Sequence, residues 1–237
     1  MTAPLLIADL GRRGYGEVLS LQRDLCRRRV AGEITDDILL LVEHPPVVTL
    51  GRGTRATSLP LSADAIGARG VEVYEVERGG DVTWHGPGQL VGYPIVDLRQ
   101  HREDLHWYLR ELEGGLIDAL TALGVAAERN PGLTGVWTGG RKIASIGIHV
   151  KQWVTFHGFA LNVTSDLAGF GLIVPCGIHG VTMTSVAREL GTPDDAAAAD
   201  ALWRGASGAV VAAVAHRLDR VPAPAGTTIV PAALEPA

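Results

Sequence analysis

The apolar positions of this chain fall into short runs and helical stripes that follow one another without a regular βα rhythm. Residues 4–9, PLLIAD, form an apolar run that predicts a strand. Val18, Leu21, Leu25 and Cys26 then recur at helical spacing and predict a helix over 14–31. The stretch ILLLVEHPPVVTLGRG (38–53) reads as a buried strand, a Pro-Pro break and a second strand. A short helix is predicted over 61–70, with Ser62 as N-cap and Gly70 near its end. Residues 71–98 alternate like strands, with turns at Gly79-Gly80 and at Gly86-Pro87-Gly88. Leu105, Leu109, Leu112, Leu116, Leu120 and Leu123 define one apolar face of a long helix over 102–123. Residues 135–163 read as strands that turn at Gly139-Gly140 and near Lys151–Trp153. A helical pattern covers 183–190, and an alanine-rich helix covers 195–219. The Pro- and Ala-rich tail from Val221 onward is expected to lack fixed structure. The mixture predicts a single α+β domain built on a mixed sheet rather than a doubly wound fold.

Composition narrows the classes of function. The 237 residues suffice for a substantial core. A net charge of −5 gives no support to a nucleic-acid or anionic-membrane surface. The apolar start is too short for a signal peptide, and no run approaches a transmembrane span, so a cytoplasmic protein is expected. Cys26 and Cys176 are the only cysteines, which fits a reducing compartment and no disulfide framework. Among 21 basic residues only Lys142 and Lys151 are lysines. A lysine kept in an arginine-rich sequence points to a task that arginine cannot perform, such as proton transfer.

Three segments carry candidate chemistry. In GLIVPCGIHG (171–180), Cys176 sits between Pro175 and Gly177, where regular structure breaks. It reads either as a buried thiol or as a nucleophile presented by a rigid turn whose N–H groups face an oxyanion. A thiol of pKa about 8.5 needs a nearby base or cation to form thiolate. Lys142, at the head of the apolar strand KIASIGI, is one candidate, and His85 and His179 are others. Lys142 reads equally as a solvated strand end, because spacing alone does not place it beside Cys176. RGGDVTWHGPGQL (78–90) is either two hairpin turns or a glycine-rich cradle for a substrate. It is neither a Walker loop nor a dinucleotide fingerprint. Cys176, His179 and His85 lack any spacing typical of metal ligands, so no metal is expected.

Taken together, ERGGDVTWHGPGQLVGYPIVDL, TGGRKIASIGIHVKQWVTFHGFALNV, VPCGIHGVTMTSV and the EHPPVVTLGRG element resemble the lipoyl(octanoyl) transferases, the lipoate biosynthesis protein B family. The resemblance spans most of residues 5–190 in the expected order. It implies the biotin/lipoate protein ligase-like fold, a mixed sheet flanked by helices, over residues 1–220, with 221–237 as an unstructured tail. It implies an acyltransferase that takes an octanoyl group from acyl carrier protein and places it on a lysine of a lipoyl domain. Such acceptors are the E2 subunits of 2-oxoacid dehydrogenases and the glycine cleavage H protein. The family's catalytic cysteine falls on Cys176 and its partner lysine on Lys142. Its substrate-contacting blocks fall on Arg78, Gly79, Gly80, Asp81, Val82, Thr83, Trp84 and His85, on Ser145, Ile146 and Gly147, and on Gly158, Phe159 and Ala160. Gly147, Gly158 and Ala160 are expected to line an acyl slot, His85 to shape it near the carbonyl, and Phe159 to face the core. No cofactor is implied, and a monomer is expected. An ATP-dependent lipoate–protein ligase of the same fold is the nearest alternative, and a non-catalytic acyl-binding protein is the other.

Overall fold

The structure is a computed structural model that describes residues 2–174 and 180–231. An apolar strand β1 (Pro4–Arg12) leads into helix α1 (Tyr15–Val30), whose buried face carries Val18, Leu21, Leu25 and Cys26. Strand β2 (Asp37–Glu43) is almost continuously buried, as a central strand covered on both faces must be. After the Pro-Pro break come β3 (Val47–Leu50), the short helix α2 (Ala63–Gly67), β4 (Glu72–Glu75), β5 (Val82–His85) and β6 (Gln89–Ile95). Ser62 caps α2 as expected, its hydroxyl accepting from the N–H of Ala65. Helix α3 (Leu105–Ala122) precedes a strand run of β7 (Glu128–Asn130), β8 (Leu133–Thr138), β9 (Arg141–Lys151) and β10 (Val154–Asn162). Helices α4 (Val186–Leu190) and α5 (Ala196–Arg217) and the strand β11 (Val221–Pro224) complete the chain.

Eight strands form one mixed sheet in the order β11-β1-β2-β6-β10-β9-β8-β7, and β4-β3-β5 form a smaller one beside it. Period-two alternation along the central strands feeds two cores. Phe159 and Leu161 point to the face covered by α3 and α5, while Ala160, Val91, Tyr93 and Ile95 join α1 on the other. A third cluster, centred on Trp84, fills the smaller sheet.

Two turns set the register around β9. Gly139 and Gly140, at φ 50° and 76°, close the β8–β9 hairpin between Thr138 and Arg141, the positive-φ pair that a two-residue hairpin favours. Gln152 and Trp153 do the same between β9 and β10 with φ of 49° and 65°, without any glycine.

The tail departs from expectation. Val221–Pro224 pair in parallel with Pro4–Ile7, and Ile229 and Val230 are buried against the α1 side of the sheet. Pro222 and Pro224 hide a strand because they lack N–H groups, yet an edge strand needs donors on one side only. The N–H of Val221 donates to Ala3 and that of Ala225 to Ile7. Just ahead of the strand, Arg220 donates to the buried Asp37 carboxylate, which also holds Arg29 and His101 at 2.7 Å each. A paired cluster of this kind ties the chain end to α1 and β2.

Candidate active site

A cavity of about 200 Å³ opens between β9 and β10 of the large sheet, β5 of the small sheet and the first residue of α1. Its walls are made by removing side chains. A Cβ on Gly158 would lie 2.2 Å from Gly92 O, so only glycine fits there. At Gly147 a Cβ would approach Gly79 O and Arg78 Cδ to about 3 Å, and this closeness lets Gly79 N–H donate to Ile148 O at 2.8 Å. The loop before β5 is thereby docked onto β9. Ala160, Val91, Ser145 and Ile146 complete the wall.

Lys142 lies at one side of the cavity, only 2 % exposed. Its side chain runs across Gly135, where a Cβ would fall 2.8 Å from Lys142 Cε and 3.2 Å from Nζ. Gly135 adopts φ 123°, which side-chain-bearing residues rarely do. Its Nζ donates to Thr134 O at 3.1 Å and lies 5.4 Å from the Trp137 ring centroid. The Lys142 backbone is paired beyond β8 as well. Its N–H donates to Thr182 O, and Thr184 N–H donates to Lys142 O, both at 2.9 Å. The solvated strand end considered from sequence is therefore not what forms.

Opposite the sheet, β5 splits its residues by alternation. Thr83 and His85 face the cavity, which Arg78, Gly80, Asp81 and Val82 also line. Gly79 does not line it. Trp84 points away, packing on Phe170 at 5.4 Å between Gly86 and Gly169. Phe159 lines the cavity and also packs over Gly92 in the helix-covered core, so the expectation that it faces the core holds for its ring. Arg78 donates to Thr49 O at 2.7 Å and to Thr49 Oγ1, which fixes it across the base of the small sheet.

His85 has a defined tautomer. Asn162 Nδ2 donates to the carbonyl of Thr184 and so leaves Oδ1 to accept from Gln89 Nε2. Gln89 Oε1 is then the acceptor 2.6 Å from His85 Nδ1, which must carry the proton. In a neutral ring, Nε2 keeps its lone pair. The same chain of amides links His85 to the segment paired with Lys142.

Tyr15, Tyr93, Leu133, Thr134 and His157 also line the cavity and were not singled out from sequence. Their signal lies in contacts across long separations. Tyr15 stacks on His85 at 6.0 Å, and Tyr93 donates its hydroxyl to His44 Nε2 at 2.8 Å. Cys176 and His179 lie outside the described residues. Among the described residues no group of three potential metal ligands is found, and no helix is long and apolar enough to cross a membrane.

Burial holds three imidazoles in their neutral form, pushing His44 and His157 down to about 4 and His85 to about 3 from the usual 6.5. The unfolded chain takes up protons below pH 6.5 that the folded chain cannot. The contribution of these groups to stability is thus complete above about 6.5 and declines as pH falls toward 4. Denaturant midpoints measured across that window should fall steadily, with up to three protons bound on unfolding. A flat profile would contradict the neutral cluster.

The family model for the lipoyl protein ligase A/B catalytic domain matches residues 14–204, and the chain belongs to that family. Its relatives include the octanoyltransferase of Gloeobacter violaceus, 53% identical over 173 residues that cover 73% of this chain and 76% of that protein. The octanoyltransferase of Geobacter sulfurreducens is 53% identical over 185 residues, covering 78% and 75%. Among solved structures, a lipoate-protein ligase A bound with ATP shares the fold, with a TM-score of 0.73 and 16% identity over 95% of this chain and 89% of that one.

Proposed function

We propose that the protein moves an octanoyl or lipoyl group from acyl carrier protein to a specific lysine of a lipoyl domain, through a thioester on Cys176 and without ATP. The acceptors would be the lipoyl domains of 2-oxoacid dehydrogenase E2 subunits and the glycine cleavage H protein. Octanoyltransferases at 53% identity over most of the chain support the reaction class. The position of Lys142 carries the assignment of residues. It is buried beside an apolar slot, and its backbone is paired with Thr182 and Thr184, six and eight residues beyond Cys176. On the other flank, Val174 N–H donates to Ser58 O, and the Ser58 hydroxyl donates to Asp81 in the cavity wall. Described residues on both sides of Cys176 thus contact residues of the cavity wall, and a residue spans at most about 3.5 Å of chain, which supports assigning Cys176 to this site.

Lys142 takes the Cys176 proton, and the thiolate attacks the carrier thioester. A carbon–sulfur bond to the enzyme forms as the one to the carrier breaks, and the carrier thiolate leaves with the proton returned by Lys142. The acceptor amine then attacks the acyl-enzyme. An amide bond forms, Cys176 departs as thiolate, and Lys142 relays the amine's proton to it. Exchanging one thioester for another needs little driving force, so ATP has no role. The methylenes of an octanoyl chain in the slot contribute roughly 5 kcal/mol at about 0.8 kcal/mol each.

The test is incubation with octanoyl-acyl carrier protein and a lipoyl domain in the absence of nucleotide, read by the mass of the lipoyl domain. Octanoylation is expected. Transfer that requires ATP and free octanoate would assign the ligase reaction instead, and acyl retention without transfer would assign a binding protein.

A further inference from the structure

The end of the cavity away from Lys142 is built differently from its walls. His157 lines it at 1 % exposure, and neither ring nitrogen makes a hydrogen bond to a described residue. Glu77 Oε2 stands 3.5 Å from Nε2. Glu77 Oε2 and Gln22 Nε2 are likewise buried without hydrogen-bond partners among the described residues. The backbone of His157 is fixed and its ring packs on a neighbour. His157 adopts φ 57°, its N–H donates to Gln22 Oε1 at 2.9 Å, and it stacks on Phe156 at 4.8 Å. A non-glycine residue in this backbone region inside a strand is uncommon and carries strain.

Strand geometry gives the depth of the slot. Lys142 Nζ reaches Thr134 O, and extending the Val136↔Ala144 register places Thr134 opposite Ile146. His157 is paired with Ile148 on the next strand over. Two strands across and two residues along put the groups roughly 12 Å apart, at about 4.8 Å between strands and 3.3 Å per residue. An extended chain advances about 1.2 Å per bond, so eight carbons span about 8 Å. The methyl end of an octanoyl group then comes within contact range of the imidazole, and further methylenes would run into it.

We propose that His157 is the floor of the acyl slot and sets the chain length the protein accepts. The assignment rests on the cavity being the acyl site proposed above. An apolar floor would yield or pack against extra methylenes. A fixed polar ring gains no hydrogen bond from a methylene, and moving it would break its stack on Phe156. Growth of the chain beyond eight carbons therefore yields none of the usual gain, which is about fourfold in binding per buried methylene.

The experiment compares kcat/KM for octanoyl-, decanoyl- and dodecanoyl-acyl carrier protein, with a lipoyl domain as acceptor, in the wild-type protein and two variants. His157→Gly relieves the positive φ and opens the floor. Its decanoyl-to-octanoyl ratio should rise about fifteenfold over wild type, the yield of two further buried methylenes. His157→Asn also tolerates positive φ but keeps a polar group, and its ratio should rise by less, about threefold to fivefold. The ratio is internal to each preparation, so partial loss of folded protein does not distort it. An unchanged ratio in both variants, with octanoyl transfer intact in the wild type, overturns the floor assignment alone. Absence of octanoyl transfer in the wild type overturns the acyl site itself.

Discussion

Cys176→Ala is expected to carry no octanoyl adduct and to lose transfer by at least about 10³-fold, whereas Cys26→Ala retains both. The surroundings of Cys26 show why it is the unreactive thiol of the two. Cys26 is 2 % exposed on α1, with its sulfur 3.9 Å from Val154 O, inside the core between helix and sheet. Burial raises its pKa, so it supplies little thiolate, and no carrier-protein thioester could approach it. Among the described residues that precede and follow Cys176, Val174 donates to Ser58, which donates to Asp81, and Thr182 and Thr184 pair with Lys142. The measurement is the intact mass of the enzyme after brief exposure to octanoyl-acyl carrier protein and an acid quench. An adduct that survives in Cys176→Ala, or disappears in Cys26→Ala, removes Cys176 from the reaction.

The elements were legible where local chemistry dictates backbone shape. Gly139-Gly140 announces a tight hairpin because both residues must take positive φ, and the leucine stripe of α3 can be buried only as a helix. Legibility failed where tertiary pairing decides. The strand at Val221–Pro224 exists because β1 offers an open edge and Asp37 holds Arg220, neither of which shows in a Pro/Ala-rich composition. Gln152 and Trp153 form their turn against their own backbone preference, because the strands on either side are already in register.

The site shows the same division. Scarcity of lysine pointed to Lys142, and the family blocks pointed to Gly147 and Gly158, whose missing side chains shape the cavity wall, and to Ala160 beside them. The groups that give the cavity its polarity were less visible. His157 adjoins Gly158 in the same segment, but what makes it unusual is a ring buried without a hydrogen bond to any described residue and a positive φ. Gly135, which lets the lysine side chain lie flat along β8, looks like any strand glycine in sequence. Trp84 shows the converse. It sits in β5 between Thr83 and His85, which line the cavity, yet alternation turns its own ring into the core.

Lys142→Arg should lower octanoyl transfer by about 10²–10⁴-fold, the range for loss of a positioned acid–base group. The guanidinium keeps the positive charge but does not release its proton near neutral pH, so it cannot accept one from Cys176 or from the acceptor amine. If Lys142 did no more than stabilise a thiolate by charge, the arginine variant would keep most of its rate. Its surroundings sharpen the contrast: the amine is buried, donates to Thr134 O at 3.1 Å, and crosses a glycine chosen for the space it leaves. Because the same amine would serve both half-reactions, adduct formation in a single turnover and release onto the lipoyl domain should slow together. A variant that slows only the second step would confine Lys142 to deprotonating the acceptor. Gly135→Ala provides a check on position, since its Cβ would sit 2.8 Å from Lys142 Cε and force the amine aside while leaving its chemistry intact. Turnover close to wild type in Lys142→Arg would show that charge suffices, and the proton would then have to leave Cys176 by another route.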